Sequence, residues 1–117
     1  MIAHVVLFRP KAGLSPADRE LLLDAMREAH REIPHIRRFI VGARVKNGSP
    51  YEAGARDFPF LAQFEFDSPD DLAAYLTHPA HAQLSLGFYQ MSDAAEAYDY
   101  EIGDVPDALS ASFETLG

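Results

Sequence analysis

The stretch Ser68-Pro69-Asp70-Asp71 decides how this chain is organised, because it repeats the earlier stretch Ser15-Pro16-Ala17-Asp18. In both, a serine can cap a helix, a proline suits the first helical position, and an aspartate in the first turn complements the helix dipole. Each copy follows an alternating apolar run that is typical of a strand. Each half of the chain therefore predicts strand, helix and strand, and the whole chain predicts the order βαββαβ.

The predicted strands are apolar runs at residues 2–9, 35–46, 58–66 and 95–102, with a loop over residues 47–57. The run 2–9 is apolar on both faces, so we expect it in the centre of the sheet together with the run 58–66. The first helix should pack against the sheet through an apolar stripe at Leu22, Met26, Ala29 and Ile33. We therefore predict an α+β fold of the ferredoxin-like kind, in which helices cover one face of an antiparallel sheet.

The composition limits the kind of partner. With 117 residues, of which 48% are hydrophobic, the chain can form one domain with a real core. Its formal charge of -8, from 18 acidic and 10 basic residues, argues against binding to nucleic acid or to an anionic membrane. No run approaches the ~20 apolar residues of a membrane span, and no signal-peptide pattern opens the chain, so we expect a cytoplasmic protein. Zero cysteines exclude disulfides and thiolate chemistry.

The block from Tyr75 to His81 predicts a broken helix with titratable side chains at the break. Pro79 disfavours a helical His78, so one helix should end there and a second should begin with His78 as its N-cap. His81 then lies in the first turn of the second helix, where partial positive charge favours the neutral imidazole that a general base needs. Tyr75 would place a hydroxyl nearby. The alternative is a helix junction with surface histidines and a core tyrosine.

His4 is the one polar side chain in the buried part of the first strand, so it requires a hydrogen-bond partner or a functional role. We predict that His4, Tyr75 and His81 line one cavity, with His81 as its most reactive group. The apolar walls of the ligand site are predicted to include Phe60, Met26 and Leu22. The alternative for His4 is a core histidine that satisfies its hydrogen bonds. No metal is expected, because two histidines at the helix break are too few ligands and no His-Glu-x-x-His pattern occurs.

Four stretches of the sequence resemble the stress-responsive A/B-barrel (Dabb) domain family. They are residues 1–8, residues 64–68, Tyr75 with the block His78-Pro79-Ala80-His81, and Tyr98-Asp99-Tyr100. The resemblance covers residues 1–102 as one domain and leaves residues 103–117 as a C-terminal tail. It implies a dimeric α+β barrel with a small-ligand cavity in each protomer, and most members have no assigned reaction.

The resemblance extends to olivetolic acid cyclase, a member of the family that folds a linear polyketide by intramolecular aldol condensation without a cofactor. Its tyrosine and histidine correspond, by position around the His-Pro-Ala-His block, to Tyr75 and His81, and its first-strand histidine corresponds to His4. A further histidine of that enzyme falls at Phe60, so this sequence departs from its pattern.

Three functions remain open at this point. The first, which the departure at Phe60 favours, is a homodimer that binds a small apolar or polyketide-like ligand and has no assigned activity. The second is a cofactor-free enzyme of the polyketide cyclase type, in which His81 removes a proton next to a carbonyl and Tyr75 donates to the enolate oxygen. The third is a cofactor-independent monooxygenase on the same barrel, which the absence of tryptophan disfavours.

Two further predictions concern uncovered surfaces. Helices cover only one face of the predicted sheet, and the other face is too apolar to remain in water, so we predict a homodimer through the sheet faces. The tail carries Leu109, Phe113 and Leu116 at helical spacing, which predicts a short amphipathic helix docked on the body or on the partner. A disordered end is the alternative.

Overall fold

A computed structural model describes residues 1–116 of the chain. These residues form four strands, five helices and one 3₁₀ turn. In chain order the elements are β1 Ile2–Pro10, α1 Pro16–Glu32, β2 Arg38–Ala43, α2 Pro50–Gly54, β3 Phe60–Phe66, α3 Pro69–Leu76, α4 Pro79–Met91, β4 Ser92–Glu101, the 3₁₀ turn Pro106–Leu109 and α5 Ser110–Leu116. The main elements follow the predicted order βαββαβ, with the second main helix divided into α3 and α4.

The four strands form one antiparallel sheet in the order β2-β3-β1-β4. The central positions predicted for the first and third apolar runs are therefore confirmed, and so is the ferredoxin-like α+β fold. The register of β1 places His4 opposite Phe64 of β3 on one side and opposite Asp99 of β4 on the other. Residues that are opposite one another in an antiparallel pair lie on the same face of the sheet, so these three side chains share a face.

Both predicted helix starts are confirmed. The Ser15 hydroxyl accepts a hydrogen bond from the Asp18 N–H at 3.1 Å, and the Ser68 hydroxyl accepts one from the Asp71 N–H at 3.2 Å. In each helix the proline lies in the first turn, where a backbone N–H would have no partner within the helix. These caps direct the chain from a strand into a helix that returns across the sheet.

The core lies between the helices and one face of the sheet. Its most completely buried large side chains are Tyr75, Phe64, Phe66, Ile33 and Leu84. The predicted stripe of the first helix is confirmed, since Leu22, Met26, Ala29 and Ile33 are each no more than 6% exposed. Full burial of one large apolar side chain contributes roughly 1.5–3 kcal/mol, so this contact between helices and sheet is the main source of stability.

Three strands have a boundary that differs from the prediction by two residues or more. β2 covers only residues 38–43, and its pairing with β3 ends at Ala43, opposite Phe60. β3 itself begins at Phe60 rather than at residue 58, since Pro59 has no N–H to donate to a neighbouring strand. β4 begins at Ser92, three residues earlier than expected, because β1 extends to Pro10 and pairs with it.

The predicted loop 47–57 contains the short helix α2, which the prediction missed. Its Ser49-Pro50 start resembles the starts of the two main helices, although the Ser49 side chain makes no capping hydrogen bond. Arg44 joins the strand to this loop through an ion pair with Asp57 at 2.8 Å. Among residues 1–116, no helix is both long enough and apolar enough to cross a membrane.

The face of the sheet opposite the helices, here called the open face, is uncovered. Tyr98 and Tyr100 of β4 lie on it and are 44% and 54% exposed, beside the partly buried Val5, Leu7 and Leu61. The chain is only 20 Å deep along its shortest axis, which is the depth of one helix layer on one sheet. Its radius of gyration is 16.0 Å, whereas a compact domain of this length has about 13 Å.

The tail is helical but does not pack on its own protomer. Leu109, Phe113 and Leu116 are 48%, 61% and 81% exposed, so the prediction that they dock on the body of the same chain is wrong. The physical reason is that the tail leaves β4 at the edge of the sheet, where α5 packs mainly against the neighbouring 3₁₀ turn. Docking on a partner stays a prediction, as does the division of the chain at residue 102. The last residue of the predicted tail, residue 117, lies outside the described residues.

Candidate functional site

The junction between α3 and α4 has the predicted form. α3 ends at Leu76, and the His78 N–H still donates to the Tyr75 carbonyl at 3.1 Å. His78 has an extended backbone and its Nδ1 accepts a hydrogen bond from the Ala80 N–H at 3.0 Å, so His78 is the N-cap of α4. His81 therefore lies in the first turn of α4, which confirms the placement expected from the proline.

Tyr75 is the centre of the site. Only 1% of its surface is exposed, and its ring packs on Phe64 and Phe66 of β3 with centroid distances of 5.2 Å and 5.1 Å. The His81 ring lies 4.7 Å from the Tyr75 ring and the His4 ring lies 5.4 Å from it, both tilted by about 60°. The structure thus brings together the three residues that were predicted to share a site, although they come from β1, α3 and α4.

His4 has a partner that the sequence analysis missed. Its Nδ1 donates to an Asp99 carboxylate oxygen at 2.5 Å, which is shorter than the roughly 2.7–2.9 Å usual for a charge-assisted N–H···O hydrogen bond. His4 is 6% exposed, whereas the Asp99 side chain is 46% exposed, so the pair connects the core to the surface at the β4 edge. The alternation of side chains along β4 could have predicted this partner. Because Tyr98 and Tyr100 face the open side, Asp99 between them must face the helices.

The Asp99 contact also determines which nitrogen of His4 carries a proton. An ionised carboxylate can only accept, so Nδ1 must be the donor, and in the neutral ring Nε2 keeps its lone pair. Two histidines, a phenol and a carboxylate thus lie together at one end of an apolar core. We call these residues, His4, His81, Tyr75 and Asp99, the His–Tyr cluster. Such a cluster can bind a carbonyl or hydroxyl group and can accept a proton.

The environment of the cluster shifts two pKa values. Burial, reinforced by the negative charge of Asp99, raises the pKa of the Tyr75 hydroxyl well above its usual range, so Tyr75 remains a neutral donor. Burial, reinforced by the nearby His4, lowers the pKa of His81, while the backbone of Leu76 acts in the opposite direction. His81 is therefore a neutral acceptor near pH 7, as predicted, with burial as the largest cause.

The three predicted wall residues come from three different parts of the fold. Phe60 is at the far end of β3, 41% exposed, and its ring packs 5.7 Å from that of Phe8. Leu22 is buried in the core beside Gly87, and Met26 borders a groove between α1 and β2. Phe60 is thus far from the His–Tyr cluster along the sheet, and the role of all three residues as walls of a ligand site stays a prediction.

Cavities with volumes from about 200 to about 690 Å³ lie along β2, around α2 and inside the curve of the tail. None of these is lined by a residue of the His–Tyr cluster, so a cavity shared by His4, Tyr75 and His81 stays a prediction. The cluster meets solvent instead at its rim, through the half-buried His81 and the Asp99 carboxylate. Within residues 1–116, no three histidine, aspartate or glutamate side chains are grouped so that they could hold a metal ion.

Comparison with known proteins places the chain in a family. The model of the stress responsive A/B barrel domain matches residues 2–102, which contain the whole His–Tyr cluster and leave out the tail. No curated protein matches the chain. Among solved structures, the protein At3g17210 of Arabidopsis thaliana is 25% identical and superposes with a TM-score of 0.74, over 90% of this chain and 98% of that one.

Two further solved structures extend the comparison. A dimeric ferredoxin-like protein of unknown function from Thermobifida fusca is 22% identical, with a TM-score of 0.67, over 86% of this chain and 90% of that one. A hydroxynitrile lyase from Passiflora edulis is 17% identical, with a TM-score of 0.71, over 89% of this chain and 94% of that one. At these identities the likeness shows the fold alone.

Proposed function

We propose, from the premise that this chain belongs to the stress-responsive A/B barrel (Dabb) domain family, that it is a homodimer that binds a small, largely apolar ligand at the His–Tyr cluster. The observation that carries the proposal is the convergence of Asp99, His4, Tyr75 and His81 in one place. Polar groups in a core cost free energy unless they are paired. His81 hydrogen-bonds the backbone of Leu76, and a ligand would add a partner for the Tyr75 hydroxyl and for the other ring nitrogen of His81.

The chemistry of the cluster indicates the class of ligand. Tyr75 offers a hydroxyl that stays protonated, and His81 offers a neutral ring nitrogen that can accept a hydrogen bond. Around them lie the phenylalanine rings of β3. A β-polyketide or a small phenol matches this combination, because it presents carbonyl or hydroxyl groups on an apolar frame.

The homodimer is supported by the open face and by relatives that are described as dimeric. Leu7 and Leu61 lie side by side on that face, and Tyr98 and Tyr100 remain about half exposed there. Covering these groups with the same face of a second copy would remove apolar surface from water on both chains.

We also keep the cytoplasmic location as a proposal.

Binding is tested by thermal unfolding in the presence of β-polyketides and small aromatic compounds. A ligand present at a hundred times its Kd should raise the free energy of unfolding by about 2.7 kcal/mol. His81→Ala should abolish this gain, whereas His35→Ala, which removes an exposed histidine outside the cluster, should keep it. A gain that survives in His81→Ala would place the ligand elsewhere, and no gain with any compound of the panel would reject this ligand class.

A second candidate function is cofactor-free general base catalysis, and the contact between the His81 and Tyr75 rings favours it. Burial keeps His81 neutral, so the cluster holds one base beside one hydroxyl donor. A bound β-diketone should then exchange its acidic C–H protons for deuterium in D₂O, faster than in buffer by about 10²–10⁴-fold. If NMR shows that the β-diketone binds but that its C–H protons exchange no faster than in buffer, catalysis is excluded and only the binding function is left.

A further inference from the structure

The tail presents apolar side chains that its own protomer leaves uncovered. Leu109, Phe113 and Leu116 follow one another at helical spacing and are exposed by about half or more. The seven residues of α5 are too few for a helix that is stable in water by itself, since isolated helices shorter than about 12–15 residues are marginal. The helix therefore needs a surface to pack against.

A groove between α1 and the edge strand β2 is a second uncovered apolar surface. Its volume is about 200 Å³ and its lining is formed by Leu23, Met26, Arg27, His30, Phe39 and Val41. Leu23 is 43% exposed and Val41 is 64% exposed, so the apolar floor continues onto the surface. The groove opens at the β2 edge of the sheet, whereas the tail leaves from β4 at the opposite edge.

A two-fold rotation brings these two surfaces together. When two open faces pack with the rotation axis parallel to the strands, β4 of one chain lies over β2 of the other. The register places Arg38, Glu65, Ala3 and Tyr100 in one row across the sheet. The end of β4, where the tail begins, therefore lies beside the start of the partner's β2.

The charges of the two segments are complementary. The tail carries Asp104, Asp107 and Glu114 and no basic residue. The segment 36–49, which contains β2, carries Arg37, Arg38, Arg44 and Lys46 and no acidic residue. Arg38 is well exposed, and its ion pair with Glu65 is long at 3.9 Å, so it can take an additional partner.

We propose that the tail of each protomer crosses to a second copy of this chain and lays Leu109 and Phe113 in that copy's groove between α1 and β2, with its acidic residues near the start of β2. The inference rests on the sheet-to-sheet homodimer proposed above and adds a reciprocal contact to it. The tail that makes this contact lies outside residues 2–102, which the family model matches.

Cysteine cross-linking tests the contact directly, because the chain contains no cysteine. A tagged chain with Phe113→Cys and an untagged chain with Val41→Cys are purified separately, mixed and oxidised. The expected product is a disulfide-linked pair of one tagged and one untagged chain. Val41→Cys mixed with Tyr89→Cys is the control, since Tyr89 is 83% exposed on α4 and should give only background.

The strength of the dimer is the second readout, measured on the full chain by sedimentation. Phe113→Asp should raise the dimer Kd by about tenfold or more, as expected for an aromatic anchor. Tyr89→Asp, with the same change of charge and a similar change of size, should leave the Kd unchanged. If the chain is a dimer but the Phe113→Cys and Val41→Cys chains do not cross-link, and Phe113→Asp and Tyr89→Asp have equal Kd values, the tail contact is overturned. The sheet-to-sheet dimer would then still stand. A full chain that stays monomeric overturns both.

Discussion

Replacing Asp99 with alanine tests whether its contact with His4 holds the His–Tyr cluster together. The change removes the acceptor that lies 2.5 Å from His4 Nδ1 and leaves a ring N–H unpaired in a residue that is only 6% exposed. A hydrogen bond to a charged group contributes about 1.5–3 kcal/mol. With an unfolding entropy of about 2.1 cal/mol/K per residue and 117 residues, 1 kcal/mol corresponds to about 4 °C. Asp99→Ala should therefore lower Tm by about 6–12 °C.

A matched control lies on the same strand. Asp93 pairs with Arg9 at 2.7 Å, and its side chain is 48% exposed, close to the 46% of Asp99. The two pairs differ in the partner, because the Arg9 side chain is 42% exposed and the His4 side chain only 7%. An exposed ion pair contributes about 0.2–1 kcal/mol, so Asp93→Ala should lower Tm by only about 1–4 °C.

The assay is thermal unfolding followed by circular dichroism at one protein concentration, because the Tm of a dimer depends on concentration. Equal losses for Asp99→Ala and Asp93→Ala would refute the argument that the burial of His4 strengthens its bond. Asp99→Asn separates the hydrogen bond from the charge, since the amide oxygen still accepts from Nδ1. It should recover part of the lost stability.

Three other predictions concern the junction, the titration of His81 and the open face. His78→Ala removes the acceptor of the Ala80 N–H and should lower the free energy of unfolding by about 0.5–2 kcal/mol, while His78→Asn should restore most of it in the same thermal assay. The pKa of His81 is lowered in the folded state, so the unfolded chain binds the proton first and stability should fall as the pH drops below the ordinary value of 6.5. Urea unfolding across this pH range should show a weaker dependence in His81→Ala, and an unchanged dependence would contradict the shift. Tyr98→Glu places a charge on the open face and should raise the dimer Kd in sedimentation, and an unaltered Kd would exclude that face as the interface.

Local rules predicted the parts of the site that lie close together in the chain. The break at Pro79, the cap at His78 and the position of His81 in the first turn all follow from residues within one or two helical turns. Tyr75 reaches His81 because only six positions separate them across that break. The interpretation of His4 as a residue in need of a partner also came from its own strand.

Long-range pairing determined the rest. Asp99 lies 95 positions from His4, and their contact follows from the antiparallel register of β1 with β4, which no local pattern specifies. The same reason explains why Phe60 was placed near the cluster. It shares a sheet face with His4, but the register puts it opposite Phe8, at the other end of β1.

By itself, the sequence determined where the main helices begin, which faces are apolar and that the order is βαββαβ, because caps, prolines and periodicity act within a few residues. Only the tertiary structure decided the strand order β2-β3-β1-β4 and the pairing of His4 with Asp99. It also decided that the apolar stripe of the tail stays uncovered, although the helical spacing was read correctly. Periodicity indicates which apolar side chains need to be buried. The arrangement of all elements in space determines whether the same chain can bury them.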